Sequence, residues 1–204
     1  MKTFHIFCLA IAFTSLSHAA DPNMTQKERD QVIQLLKDSQ QEFVKAVSDL
    51  TDEQWRWKPA PERWSVAEVA EHIVLAETAL FSKMEEAIRN PPNPDWEQKT
   101  KGKTELLFQV MAPRLGKAKA PEEIVPAGKM TRSEIMSGFE KVRAKTLAFA
   151  EETKVALKEH TSEHPFQFFN TLNGYQWLIY IPLHNMRHDK QIEEVKATAG
   201  FPGK

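Results

Sequence analysis

The chain has 204 residues, 41% hydrophobic and 27% charged, and a formal net charge of −1. That balance fits one ordinary globular domain with a real core. It offers no basic excess for nucleic acid or for an anionic membrane surface.

The first element is a leader. Met1-Lys2 makes a short positive start, and Phe4 to Leu16 is mostly apolar. Such a run has the length of a signal-peptide core and is too short to span a bilayer. Ser17-His18-Ala19 places small residues before a cleavage point, so residues 1–20 read as a signal peptide cut after Ala19 or Ala20. An uncleaved anchor is the alternative. Cleavage leaves a domain over 21–204, periplasmic or secreted, and it removes Cys8, the single cysteine. A chain without cysteine has no disulfide, no thiolate ligand and no cysteine nucleophile. A metal site in it has to use His, Asp or Glu. No other apolar stretch reaches the length of a span, so no membrane insertion is expected after cleavage.

Four long helices follow, each announced by a start signal. A helix start needs a side-chain acceptor for its orphan N–H groups, and a Glu or Gln three residues on can return the bond. Thr25…Glu28, Ser65…Glu68, Thr131…Glu134 and the looser Asn173…Gln176 supply this pattern. Apolar residues then recur at helical spacing. The first stripe is Val32, Leu35, Leu36, Phe43, Ala46, Val47 and Leu50, and the second is Val66, Val69, Ala70, Ile73, Leu80, Met84 and Ile88. The third is Ile135, Phe139, Val142, Thr146 and Phe149, and the fourth is Trp177, Ile181, Ile192 and Val195. Asn90-Pro91-Pro92 stops the second helix, and Gly200 follows the fourth. With seven glycines and no strand-rich section, the expected fold is all-α: a four-helix bundle of helices about 24 residues long. The connection between helices two and three, residues 90–130, holds six of the twelve prolines and a short helical stretch at Glu105–Met111. A connection that long can carry the chain back along the bundle, leaving helices two and three parallel.

The chemistry sits on the fourth helix. His184 and His188 are one turn apart, about 40° around the axis, in the middle of an otherwise apolar stripe. Burying two imidazoles without partners is costly. A metal resolves that cost, because i, i+4 spacing lets both rings reach one ion. The alternative is two core histidines bonded to hydroxyls or carbonyls. Pro182, just before the pair, tends to kink the helix and could aim His184; the alternative is a tolerated irregularity. His72, on the flank of the second stripe, is the preferred third ligand. His160 and His164 compete, but the polar run Glu159–Pro165 reads as a solvated loop. Glu68 and Glu71 read as surface charge. Gln191 and Tyr180 are candidates to support the ligands from behind or to meet a substrate. Imidazoles suit Zn, Ni, Cu and Fe alike, so the expected cofactor is one divalent transition metal, Zn, Ni or Fe.

Two segments carry a resemblance. Trp57-Lys58-Pro59 through Trp64-Ser65 to Glu71-His72-Ile73, and Leu183-His184-Asn185-Met186-Arg187-His188-Asp189-Lys190-Gln191-Ile192, resemble the two histidine motifs of the DinB/YfiT-like superfamily of metalloenzymes. The resemblance implies a four-helix bundle with a parallel middle pair and a metal triad at His72, His184 and His188. It implies a metal-dependent hydrolase or thiol transferase acting on a small molecule, and in many relatives a homodimer. A non-catalytic metal- or ligand-binding bundle and a metal-free helical interaction module remain the rivals. An open coordination position favours the enzyme, and a fourth protein ligand favours the binding protein.

Overall fold

A computed structural model describes residues 20–114, 116 and 119–203; the leader over 1–19 lies outside them. The elements in chain order are α1 (Gln26–Val47), α2 (Asp52–Arg56), α3 (Val66–Arg89), α4 (Trp96–Thr100), α5 (Lys103–Val110), a 3-10 turn at Glu122–Ile124, α6 (Arg132–Glu152), β1 (Thr161–Glu163), β2 (Thr171–Asn173) and α7 (Gly174–Ala197). All four expected capping boxes are formed, by Thr25, Ser65, Thr131 and Asn173. The long helices run 22, 24, 21 and 24 residues. The last continues through Pro182. Among the described residues, no helix is long and apolar enough to cross a membrane.

Specific contacts give the direction of each helix. Phe43 of α1 packs on Phe139 of α6 at 4.4 Å, while Arg29 at the other end of α1 bonds the Thr153 carbonyl at 2.8 Å just past α6, so this pair is antiparallel. Glu77 of α3 meets Arg143 of α6, and Phe81 meets Phe149 at 5.6 Å, so α3 and α6 run parallel. Ile88 approaches Gly174 at one end of the α3–α7 pair and His72 meets His188 at the other, an antiparallel arrangement. Lys196 late in α7 reaches the carbonyl of Ala46 late in α1, so these two run parallel. The long connection therefore does return the chain along the bundle.

The apolar core falls into two clusters. One holds Leu36, Phe81, Met84, Leu107, Ala150, Leu157, Trp177 and Leu183. The other holds Phe43, Val69, Ile73, Phe139, Ile192 and Val195, with Trp55 and Phe201 beneath. On every long helix, buried polar residues lie between the clusters. Ser39, Glu77, Arg143, Thr146, Asn185 and Asp189 are all buried there. The Arg143 guanidinium donates to the Glu77 carboxylate, to Ser39 Oγ at 2.9 Å, to Asn185 Oδ1 at 2.7 Å and to the Leu36 carbonyl. The third stripe thus differs from expectation. Val142 and Phe149 are half-buried flanks, and Arg143 holds its centre.

Asn185 Nδ2 passes the network on to Asp189 Oδ1 at 2.9 Å, and Asp189 Oδ2 is buried without a partner. Burial first, then repulsion from Glu42, pushes the Asp189 carboxyl up from 3.8 to about 8. The folded chain therefore holds a proton there that the unfolded chain releases. Stability falls as pH rises through that window. Asp189→Asn removes the ionisable group. In chelator-treated protein, urea denaturation is expected to show a gain of about 1–3 kcal/mol near pH 8 that vanishes near pH 4.

α2, α4, the 3-10 turn and a hairpin were not anticipated from the sequence. α2 has its own capping box, Thr51 with Gln54. The hairpin is antiparallel, with Ser162 opposite Leu172, and leads straight into α7. Asn90 Nδ2 and Asn93 Nδ2 bond Thr161, and Lys103 Nζ bonds the carbonyls of Phe169 and Thr171. The run from Glu159 to Pro165 is therefore not a solvated loop. His160 Nδ1 donates to the Asn90 carbonyl at 2.7 Å, and His164 is buried, stacked 5.0 Å from Trp177.

Candidate metal centre

His184 and His188 lie in the stretch of α7 that separates the two apolar clusters, and α3 brings His72 to the same level. One ring nitrogen from each of the three lies within 4.8 Å of the others. His72 and His188 are buried, and His184 is half-buried. Ring centroids of His184 and His188 are 4.4 Å apart, and those of His72 and His184 are 5.2 Å apart.

The hydrogen bonds fix two tautomers. His72 Nδ1 faces the Ile124 carbonyl at 2.7 Å. A carbonyl only accepts, so Nδ1 carries the proton and Nε2 presents a lone pair. His188 Nδ1 faces Gln191 Oε1 at 2.8 Å, with the same result. The two Nε2 atoms then stand 3.2 Å apart, lone pair to lone pair. A cation between them relieves that repulsion. A proton is disfavoured, because burial holds the pKa of all three histidines below its ordinary value, and at His184 and His188 the neighbouring rings push it lower still. A metal suits the spacing. Tetrahedral coordination at 2.0–2.1 Å puts ligand nitrogens about 3.3–3.4 Å apart. The residues present therefore fit a metal ion.

Around the triad, the Trp64 ring lies 4.9 Å from His72. Tyr180 meets His184 edge-on at 6.0 Å and also packs on His164. Burial raises the Tyr180 hydroxyl pKa far above its ordinary value. Arg187 reaches across to the carbonyls of Val110 and Gly116, tying the loop after α5 to α7. Among the described residues no carboxylate joins the three histidines. Surface depressions of about 340 and 250 Å³ lie elsewhere, beside Phe201 and beside Trp55.

Of the residues singled out in the sequence, His72, His184 and His188 come together, Gln191 bonds His188, and Tyr180 packs on His184. His160 and His164 stand apart, on the hairpin. Glu68 serves the Ser65 capping box. Glu71 is not surface charge. It is 4% exposed and takes the backbone N–H groups of Ala127 and Gly128. Its signal was its place beside His72, one residue off the apolar stripe.

The model of the DinB superfamily matches residues 35–192, a span that includes all three histidines. The chain belongs to the DinB superfamily. Among its relatives is YuaE of Bacillus subtilis (strain 168), 28% identical over 148 residues, which are 72% of this chain and 86% of YuaE. Among solved structures, the chain is similar to YfiT from Bacillus subtilis, described as a probable metal-dependent hydrolase with an unusual four-helix bundle topology. That likeness has a TM-score of 0.51 at 16% identity and covers 88% of this chain and 91% of YfiT. It supports the all-α, four-helix-bundle fold.

Gln191 gives the first direct test of the centre. Replacing it with Leu removes the acceptor that holds the His188 tautomer, and losses of this kind cost 10–100-fold in metal affinity. Isothermal titration with zinc is expected to show a drop within about that range, with helical content unchanged.

Proposed function

We propose that this DinB protein binds one divalent transition metal through His72, His184 and His188, and that it is a metal-dependent hydrolase acting on a small molecule. The observation that carries this is the facing pair of Nε2 lone pairs, 3.2 Å apart, with half-buried His184 beside them. Three neutral histidines, with no carboxylate joining them among the described residues, are the donor set of an open site. When bound, the metal would supply Lewis acidity and lower the pKa of water toward about 7. The chain's own groups do the rest. Ile124 and Gln191 hold the ligand rings in the coordinating tautomer, and burial keeps the histidines unprotonated. Trp64 and Tyr180 add aromatic surface beside His72 and His184.

The test uses untagged protein. Metal analysis is expected to find about one ion per chain in the wild type and none in the His184→Ala/His188→Ala variant. A panel of small esters and amides is expected to show turnover that chelation abolishes. Equal metal in both proteins would sink the site. Full occupancy without turnover, together with a fourth ligand from the chain, would leave a binding bundle instead.

We further propose that the protein is exported. The support is the leader read from residues 1–20. Mass spectrometry of the protein recovered outside the cytoplasm is expected to find chains starting at residue 20 or 21, and an intact Met1 would contradict this.

A further inference from the structure

Two neighbouring residues of α3 hold the same stretch of the long connection. His72 donates to the carbonyl of Ile124, the last residue of the 3-10 turn. Glu71, one residue earlier and buried, accepts from the N–H of Ala127 at 3.0 Å with one oxygen and from the N–H of Gly128 at 2.9 Å with the other. Residues 124–128 thus form a strap stitched to α3 at two points. Gly128 has φ +67°, a left-handed conformation that a side chain would strain, and it lets both N–H groups turn toward one carboxylate.

The strap is the source of the tautomer. If the Ile124 carbonyl withdrew, nothing would keep the His72 proton on Nδ1. A proton on Nε2 removes the lone pair that faces His188. The carboxylate therefore acts on the metal centre through the strap, not through the ion. We propose that Glu71 is a positioning residue for the metal centre, fixing the strap so that the Ile124 carbonyl holds His72 in its coordinating form. This rests on the metal reading above and adds a residue to it. Metal binding and strap closure are then coupled in both directions.

Wild-type protein is first titrated with zinc alone, and Glu71→Gln is then compared with it. Gln keeps the size but turns an NH₂ group against one of the two N–H donors, so one stitch becomes a repulsion. The variant is expected to bind zinc roughly 10–100-fold more weakly. Its ¹⁵N imidazole spectrum without metal is expected to show His72 divided between tautomers, where the wild type shows Nδ1–H. An affinity within about twofold of wild type and an unchanged His72 tautomer would overturn the proposal. Should Glu71→Gln fail to fold, amide exchange in the wild type decides. Zinc is expected to slow the Ala127 and Gly128 amides about tenfold or more while leaving the middle of α6 unchanged. Equal rates with and without zinc would overturn it. A wild type that binds no zinc sinks the metal reading and the positioning role with it. A wild type that binds while the variant matches it sinks the positioning role alone.

Discussion

Arg143→Met is expected to destabilise the protein by about 3–5 kcal/mol, the usual cost of breaking a buried ion pair from one side. The side chain is fully buried and its partner carboxylate Glu77 is 2% exposed. Without the guanidinium, Glu77 keeps only Thr146 Oγ1 at 3.0 Å. The Leu36 carbonyl, Ser39 and Asn185 lose a donor at the same time. A buried charge without its counter-charge is far worse than no charge at all. The double variant Arg143→Met/Glu77→Leu is therefore expected to recover more than half of the loss. Urea denaturation of the three proteins at pH 7 measures both effects. A double variant as unstable as the single one would show that the cost lies in packing rather than in the orphaned carboxylate.

The second large effect is metal-linked stability. A ligand that binds only the folded chain stabilises it according to mass action, and zinc at about a thousand times its Kd is worth about 4.1 kcal/mol. For a chain of this size, that corresponds to a rise in Tm of roughly 8–16 °C, at 2–4 °C per kcal/mol. The apo site is poised for this, because burial already holds its three imidazoles unprotonated at neutral pH. No proton has to be displaced. Thermal unfolding with zinc, with zinc plus EDTA, and with His188→Ala plus zinc is expected to show the rise only in the first. A rise of the same size in His188→Ala would place the ion elsewhere.

Much of this molecule was legible in its sequence for local reasons. Capping boxes and apolar spacing are written within a few residues, and all four long helices start where Thr25, Ser65, Thr131 and Asn173 say they should. The parallel middle pair was allowed by the loop length and implied by the family resemblance. The histidines were visible as polar residues in an apolar stripe, and the structure brings the three together. What was hidden depends on long-range partners. Arg143 looks like a surface charge until Glu77, Ser39 and Asn185 arrive from three other helices. Glu71 looks like one until the strap, more than fifty residues away, turns its N–H groups inward. The hairpin escaped notice because strands of three residues are too short to show alternation. His164 was misplaced with it.

The antiparallel meeting of α3 and α7 has a consequence for how the protein is made. His72 and His188 are separated by 116 positions in the chain, and two of the three histidines belong to the last helix. While the chain is being synthesised, α1, α3 and α6 emerge first, with an open groove where α7 will lie and with one imidazole in place of three. The metal centre cannot be loaded on such a chain. It comes into existence only when the C-terminal helix docks against both α1 and α3, so an ion bound there would be taken up in the compartment in which that docking happens.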